Sequence, residues 1–269
     1  MNLINTLLKT LILVALVIAS CFTGYAQKTL DRIVKNGELK IGMTGNQPPF
    51  AMMSKSGTLI GYEVEIAKLL AQAMQVELKI EQMPFADLLP ALEAGKIDAV
   101  MSGMTITPAR NLKVAFIGPY TISGKSILTR SPKLSEAMDA NAVNQAEIKL
   151  VTLKGSTSES FVKGYLGNTN LTLVDNYDQA VEMLLKDEVD ALVADYPVCA
   201  ITQLRHPEAN FASLTQPLTI EPIGMALPPD DALFLNMVQN YLNSLQMLGT
   251  LEALEEKWFK DGGWLVQVE

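Results

Sequence analysis

Two segments of the sequence repeat one pattern 92 residues apart (85 to 177), and this repeat limits the folds open to the chain. Segment 85–100 reads FADLLPALEAGKIDAV, and segment 177–192 reads YDQAVEMLLKDEVDAL. A second echo in the same order joins ELKI at 38–41 to EIKL at 147–150. Solenoid repeats have periods of about 20 to 50 residues, so this longer period predicts two similar lobes.

Helix-like and strand-like segments alternate along the first of these lobes. Apolar residues recur at helical spacing within 66–74 and 85–92, and a buried-strand pattern follows at 97–101. This order predicts an α/β fold, with a mainly parallel sheet covered by helices. Extended segments at 123–129 and 219–226 are candidates for two hinge strands between the lobes.

The predicted division places residues 27–123 and 226–269 in the first lobe. Residues 124–225, with the hinge strands, form the second lobe. Ligands of open α/β sheets bind beyond the carboxyl ends of the strands. We therefore expect a ligand cleft between the lobes.

The composition excludes several classes of function. A net charge of -8 argues against a broad nucleic-acid surface, so we expect no nucleic-acid partner. One His and two Cys cannot supply the four ligands of a closed zinc site, and we expect neither a metal ion nor a cofactor. Nothing around His206 supports Ser-His-Asp or Cys-His catalysis.

Residues 1–26 have the pattern of a signal peptide. Lys9 precedes an apolar run at 11–19, which is shorter than the roughly 20 residues that span a bilayer. Two processing sites compete: a small-x-small site at 24–26, and the lipobox-like segment IASC at 18–21, which ends at Cys21. The first predicts a periplasmic protein, and the second predicts one that is lipid-anchored through Cys21.

A cation follows the strand that ends the first repeat. Thr107 is a good N-cap and Pro108 suits the first helical position, which puts Arg110 in the first turn. A cation there opposes the helix dipole, and an anion nearby would offset the cost. Arg110 either clamps a ligand carboxylate, with Thr105 and the Gly103 carbonyl beside it, or pairs with a surface acid.

The second lobe offers a helix start and a carboxylate. Ser156 and Glu159 have capping-box spacing, so a helix begins near Thr157 and points its N–H groups into the cleft, or Ser156 is a plain cap. Asp195 ends the strand of the second repeat. It either pairs with a ligand ammonium group or simply begins a loop.

Two aromatic residues lie near the same mouth. Phe50 falls in a loop and Phe85 at a helix start. Both are candidates to sandwich a ligand, and the alternative for each is a place in the core.

These motifs together resemble bacterial extracellular solute-binding proteins of the polar amino-acid type, which feed ATP-driven importers. The resemblance covers about 30–264. Its most specific segments are 49–50, 61–67, 85–92, 95–99, 102–110, 118–120 and 190–195. It implies the two-lobed type II periplasmic-binding-protein-like fold, a monomer whose lobes close by hinge bending, and a membrane permease of an ABC importer as partner.

The resemblance also implies roles for the candidate residues. Arg110 would hold the α-carboxylate of an amino acid, assisted by Thr105 and by Ser156 and Thr157. Asp195 would hold the α-ammonium group. The aromatic side chains of Phe50 or Phe85 would pack on the ligand side chain.

The first loop departs from well-known members of the family. Several have an acid where this chain has Thr44, and an aromatic where it has Gln47. These differences count against strongly basic ligands. We expect a neutral polar amino acid, whose side chain Gln47 would hydrogen-bond.

Two other functions are compatible with this fold. The first is an exported enzyme resembling the cyclohexadienyl dehydratases, which act on prephenate or arogenate. That chemistry needs an Arg for a carboxylate and a carboxyl general acid, here Asp195 or Glu159. The second is the sensor domain of a signalling receptor. We expect a binding protein and not an enzyme.

Overall fold

The structure is a computed structural model, and it describes residues 29–135 and 143–268. The predicted signal peptide, both processing sites and Cys21 lie outside these residues. Among the residues that are described, no helix is both long and apolar enough to cross a membrane.

The first sheet has five strands in the order β5-β1-β6-β13-β7. Its strands are β1 (Glu38–Met43), β5 (Glu77–Gln82), β6 (Ala99–Val100), β7 (Ala115–Ser123) and β13 (Glu221–Leu227). Strands β1, β5 and β6 run parallel, and β13 is antiparallel to both of its neighbours.

The second sheet repeats this arrangement in the order β10-β9-β11-β8-β12. Its strands are β8 (Lys125–Thr129), β9 (Lys149–Leu153), β10 (Asn170–Val174), β11 (Ala191–Asp195) and β12 (Ala212–Ser213). Strands β9, β10 and β11 run parallel, and β8 is antiparallel to β11 and β12. The predicted pair of similar α/β lobes is confirmed, with β1, β5 and β6 matching β9, β10 and β11.

The aspartate shared by the two repeats has the same structural role in each lobe. Asp98 accepts a hydrogen bond from the main-chain N–H of Lys40 at 2.8 Å, and Asp190 accepts one from Lys149 at 2.7 Å. Each aspartate N–H also donates to the carbonyl of the same lysine, at 2.8 Å in both lobes. The repeated Asp therefore joins neighbouring parallel strands where the second one begins.

Helices cover the sheets, and a small sheet adds to the first lobe. That sheet contains β2 (Asn46–Gln47), β3 (Ala51–Met53) and β4 (Leu59–Ile60). The α-helices are α1 (Thr29–Asn36), α2 (Tyr62–Met74), α3 (Phe85–Glu93), α4 (Pro108–Asn111), α5 (Pro132–Ser135), α6 (Thr157–Tyr165), α7 (Tyr177–Leu185), α8 (Tyr196–Arg205), α9 (Ala232–Met247) and α10 (Thr250–Glu255). A π-helical turn, Glu256–Asp261, follows α10, and short 3-10 turns lie at Pro207–Ala209 and Leu265–Gln267.

The chain passes between the sheets at two points. Gly124 alone separates β7 from β8, and residues 214–220 join β12 to β13. These connections touch, because a Cβ added at Gly124 would lie 1.9 Å from the carbonyl oxygen of Thr219. The sequence places the second lobe boundary between 225 and 226, which falls inside β13. All of β13 belongs to the first sheet, and the division into lobes stays a prediction.

Candidate functional site

The ends of β6 and β11 and the starts of α4 and α6 meet where the two sheets face each other. The hydroxyl oxygens of Thr105 and Thr157, one from each lobe, are 3.3 Å apart. Arg110 Nη2, from the first lobe, donates to the carbonyl of Gly155 in the second lobe at 3.2 Å. The cleft is therefore closed in this structure.

Arg110 lies at this closure, held by its own helix. Thr107 accepts the N–H of Arg110 at 3.2 Å, which is the predicted N-cap of α4. Both guanidinium hydrogen bonds go to main-chain carbonyls, Thr105 at 2.8 Å and Gly155 at 3.2 Å. The guanidinium also lies 5.5 Å from the centre of the Phe85 ring. A ligand carboxylate could exchange with these neutral acceptors and gain a charge-assisted pair.

Burial lowers the pKa of Arg110, while the nearby carboxylates of Asp195 and Glu221 act in the opposite direction. The carboxylates of Asp195 and Glu221 therefore both stabilise the charged guanidinium. Only one of these acids, Asp195, is a candidate from sequence.

Asp195 is buried and already has a cationic partner. Lys125 Nζ lies 2.6 Å from Asp195 Oδ1 and 2.9 Å from Glu221 Oε2. Lys125 is 1% exposed, Asp195 4% and Glu221 9%. Buried charges are costly unless paired, and these three groups satisfy one another. Sequence reasoning missed both Lys125 and Glu221.

The Glu221 carboxylate is held by hydroxyl groups from both lobes. Thr105 and Thr157 each donate to Glu221 Oε2 at 2.8 Å, and Thr219 donates to Oε1 at 3.2 Å. Burial acts to raise the pKa of Glu221, but Lys125 and the hydroxyls outweigh it and hold the pKa below its usual range. Burial raises the pKa of Asp195, and Lys125 opposes this shift.

Gln47 reaches the cleft from the first loop. Its Nε2 donates to Asp195 Oδ2 at 3.4 Å, and its Oε1 accepts from the Ser102 hydroxyl at 3.2 Å. Thr44 accepts from the same hydroxyl at 3.1 Å. Gly103 packs against the Gln47 amide with φ +56°, and a Cβ there would lie 2.3 Å from Gln47 Nε2. A side chain at Gly103 would therefore push the Gln47 amide out of place, and the positive φ also favours glycine here.

Ser156 and Thr157 have different roles in the structure. Ser156 caps α6 by accepting the Glu159 N–H at 3.1 Å, and it donates to the Leu153 carbonyl at 2.6 Å. Glu159 accepts the Gly155 N–H at 2.7 Å, one residue earlier than a standard capping box predicts. The cap alternative thus accounts for Ser156, whereas Thr157 faces the cleft.

The two aromatic candidates separate. Phe85 lies against Arg110 at the start of α3. Phe50 is fully buried and packs edge-on against Phe259, with ring centres 5.5 Å apart. The structure thus brings Phe85 to the site and places Phe50 in the core, the alternative that the sequence left open.

No three His, Cys, Asp or Glu side chains within 29–135 and 143–268 are arranged to hold a metal ion.

The two α/β lobes meet over a cleft, and both lobes contribute charged groups to it. This arrangement defines a two-lobed ligand-binding protein.

The chain belongs to the bacterial extracellular solute-binding proteins, family 3, whose model matches residues 39–261. The resemblance inferred from the sequence motifs is confirmed. The chain is 28% identical over 247 residues to the L-cystine-binding protein TcyJ of Escherichia coli K12, covering 91% of this chain and 92% of TcyJ. It is also 24% identical over 243 residues to a cyclohexadienyl dehydratase of Pseudomonas aeruginosa, covering 90% of each chain.

Solved structures support the same family and fold. The ancestral amino acid-binding protein AncCDT-1, a precursor of cyclohexadienyl dehydratase, is 33% identical with a TM-score of 0.80, covering 87% of this chain and all of that one. A putative ABC-transporter binding component from Wolinella succinogenes, complexed with lysine, is 33% identical with a TM-score of 0.80 over 86% of this chain and 99% of that one.

Proposed function

We propose that this protein captures a small amino acid between its two lobes and delivers it to the permease of an ABC importer. One observation carries the proposal: donors for a carboxylate and an acceptor for an ammonium group meet in one cleft. Arg110, Thr105 and Thr157 are the donors, and Asp195 is the acceptor. An α-amino acid needs both kinds of group close together.

The proposed roles follow from these positions. Arg110 binds the α-carboxylate, and the hydroxyls of Thr105 and Thr157 assist it. Asp195 and the Gly103 carbonyl bind the α-ammonium group. Phe85, which already lies on the Arg110 guanidinium, packs on the ligand side chain.

The charges of the cleft favour a ligand with a neutral polar side chain. Lys125 lies 2.6 Å from Asp195 and 2.9 Å from Glu221, so a ligand ammonium group that displaces Lys125 from Asp195 leaves Lys125 paired with Glu221. Arg110 and Asp195 then remain for the two charges of the amino-acid head group. Gln47 offers amide groups near Asp195 and the first loop has Thr44 in place of an acid, so a cationic side chain would lack a partner.

We further propose export by the signal peptide at residues 1–26. The mature protein is a monomer in the periplasm, and it begins either at Gln27 or at a lipidated Cys21. The apolar run at 11–19 supports export under both forms of processing.

A second candidate function is a dehydratase of the cyclohexadienyl type, because one relative has that name. Asp195 would be the general acid, and burial raises its pKa in the required direction. The ion pair with Lys125 favours its ionised form, which cannot donate a proton. This pairing favours a binding protein. Turnover of prephenate or arogenate by the purified protein would establish the enzyme instead.

A thermal-shift screen of the ligand-free protein against all amino acids tests the proposal. A ligand at about 1,000 times its dissociation constant adds roughly 4 kcal/mol to the free energy of unfolding. This raises Tm by several degrees in a protein of this size. Stabilisation by one neutral polar amino acid is expected. Stabilisation only by carboxylates that lack an amino group would contradict the role of Asp195.

A further inference from the structure

The cleft contains an ammonium group and a carboxylate of its own, at the place where the proposed function puts those of the ligand. We propose that Lys125 and Glu221 are specificity-determining residues: they occupy the groups that bind the head group of an amino acid, and in this sense stand in for it, so a ligand must displace them. A ligand replaces them only if it carries both charged groups. This inference rests on the proposed function, which assigns the groups that bind the ammonium group and the carboxylate of the ligand.

The carboxylate half of the stand-in is Glu221. Its Oε2 accepts hydrogen bonds at 2.8 Å from Thr105 in the first lobe and from Thr157 in the second. These are the hydroxyls that the proposed function assigns to the α-carboxylate of the ligand. Glu221 therefore competes with that carboxylate for the same donors.

The ammonium half is Lys125. Its Nζ lies 2.6 Å from Asp195 Oδ1, the acceptor assigned to the α-ammonium group. The same Nζ lies 2.9 Å from Glu221 Oε2, so the two charged groups are in contact. Ammonium and carboxylate groups are also neighbours in an amino acid, where one carbon carries both. The pair thus matches the head group in charge and in proximity.

The Lys125–Glu221 pair joins the two lobes at the points where the chain crosses between them. Lys125 begins β8 in the second sheet, and Glu221 begins β13 in the first. Thr219 connects the two, because its hydroxyl accepts the Lys125 N–H at 2.9 Å and donates to Glu221 at 3.2 Å. This ion pair between the two sheets lies beside the crossings and stabilises the closed arrangement of the lobes.

A complete amino acid can take over the contacts that this pair makes with Asp195, Thr105 and Thr157. Its ammonium group takes Asp195, and its carboxylate takes the two threonine hydroxyls and Arg110. Lys125 and Glu221 keep each other as partners, since they are already 2.9 Å apart. No buried charge is left without a partner, and this balance is what makes the exchange favourable.

A ligand with only one of the two charges cannot complete the exchange. A simple carboxylate displaces Glu221 from the hydroxyls but leaves Lys125 on Asp195, so the cleft gains an uncompensated anion. A simple amine displaces Lys125 and adds a cation while Glu221 stays on the hydroxyls. Either ligand leaves excess charge in a buried site, which is costly. The Lys125–Glu221 pair thus selects for a zwitterionic ligand, which carries both charged groups.

The test uses E221A, which leaves Lys125 and Asp195 as a balanced pair, and K125M as its counterpart. The control is K186M on α7, where Lys186 forms an exposed ion pair with Glu182. The probes are glycine, acetate and methylamine at equal high concentrations. Glycine carries both charged groups, acetate carries only the carboxylate, and methylamine carries only the ammonium group. Thermal shift measures binding, and small-angle X-ray scattering of the ligand-free protein measures closure.

We expect glycine alone to stabilise the wild type and K186M. Acetate should stabilise E221A, and methylamine should stabilise K125M. Ligand-free E221A should scatter as a more extended particle than the wild type and contract with glycine. If the open state is about a tenth of the empty wild type, E221A binds glycine about tenfold more tightly. If K125M does not fold, E221A still decides the question.

Equal acetate responses of wild type and E221A, with identical ligand-free scattering, would overturn the stand-in. The proposed function would survive that result if amino acids still bind. If no amino acid binds any variant, while E221A alone opens in scattering, the proposed function fails and the closure by Lys125 and Glu221 stands. The two ideas therefore fail in different ways.

Discussion

The carboxylate of Glu63 accepts the main-chain N–H of Gly103 at 2.8 Å, which ties α2 to the chain beyond β6, directly beneath the cleft. Glu63 has no exposed surface, and the Tyr120 hydroxyl donates a second hydrogen bond to it. Burial raises the pKa of Glu63 from 4.5 to about 7, although both hydrogen bonds act to lower it. The floor of the cleft therefore contains a carboxyl group that titrates near neutral pH.

Glu63 should make the stability of the protein depend on pH. Its folded pKa lies above its unfolded value, so the folded state binds more protons between pH 4.5 and about 7. The free energy of unfolding therefore falls as the pH rises through this window, by an amount on the order of 3 kcal/mol. E63Q should remove this slope. Urea unfolding across the window measures it.

The control for this experiment is E81Q, a change at an exposed position of β5. E81Q should keep the wild-type pH profile. Parallel profiles for E63Q and wild type would show that Glu63 does not titrate as proposed.

Replacing Arg110 by Ala should abolish tight binding of the amino acid that the thermal-shift screen identifies. Truncating one member of a buried charge pair costs about 2–5 kcal/mol, so the dissociation constant should rise at least about thirtyfold. Calorimetry measures this change. R130A is the matched control, because Arg130 is an exposed arginine paired with Asp187. An unchanged dissociation constant in R110A would rule out the assigned role.

The repeated aspartates should differ in their contribution to stability. Asp98 is 2% exposed and also pairs with Arg32, whereas Asp190 is exposed. Hydrogen bonds to charged groups contribute about 1.5–3 kcal/mol, and solvent weakens them at the surface. D98N should therefore lower the free energy of unfolding more than D190N does. Denaturant titration compares them, and equal losses would contradict this account.

Gly124 should tolerate no side chain at the lobe crossing. A Cβ there would lie 1.9 Å from the Thr219 carbonyl oxygen, a main-chain atom that cannot turn away. G124A should therefore destabilise the protein by about 2 kcal/mol or more, as overpacked sites do. Thermal unfolding measures the loss.

Gly164 provides the opposite case within α6. A Cβ at this position would meet nothing within 4 Å, and Ala is the better helix former by about 1 kcal/mol. G164A should leave Tm unchanged or raise it. A Tm loss in G164A equal to that in G124A would mean that steric contact at the crossing is not the cause.

The parts of the fold that sequence predicts well are those that depend on local pattern. Helix caps at Thr107 and Ser156 and the strand ending at Asp195 follow from spacing within a few residues, and the structure has all three. The repeat also predicts two lobes with matching strands. Arg110, Thr105, Thr157 and Asp195 were candidates for the same reason, since strand ends and helix starts of such lobes face one cleft.

Burial of individual side chains was less predictable. Phe50 and Phe85 are both aromatic residues near loops, yet one lies in the core and the other against Arg110. Their difference depends on Phe259, which contacts Phe50 from more than 200 residues away. No local pattern contains that contact.

The sequence by itself determined the two α/β lobes, the family and the residues at the ends of the repeated strands, because periodicity and caps are local properties. Only the tertiary structure decided that Lys125 meets Asp195 and Glu221. Lys125 faces Asp195 through the antiparallel register of β8 and β11, and it meets Glu221 because the chain returns to the first sheet 96 residues later (125 to 221). Strand register and the return of the chain to the first sheet both depend on contacts between residues far apart in sequence. The buried ion pairs of the cleft therefore follow from the packing of whole lobes.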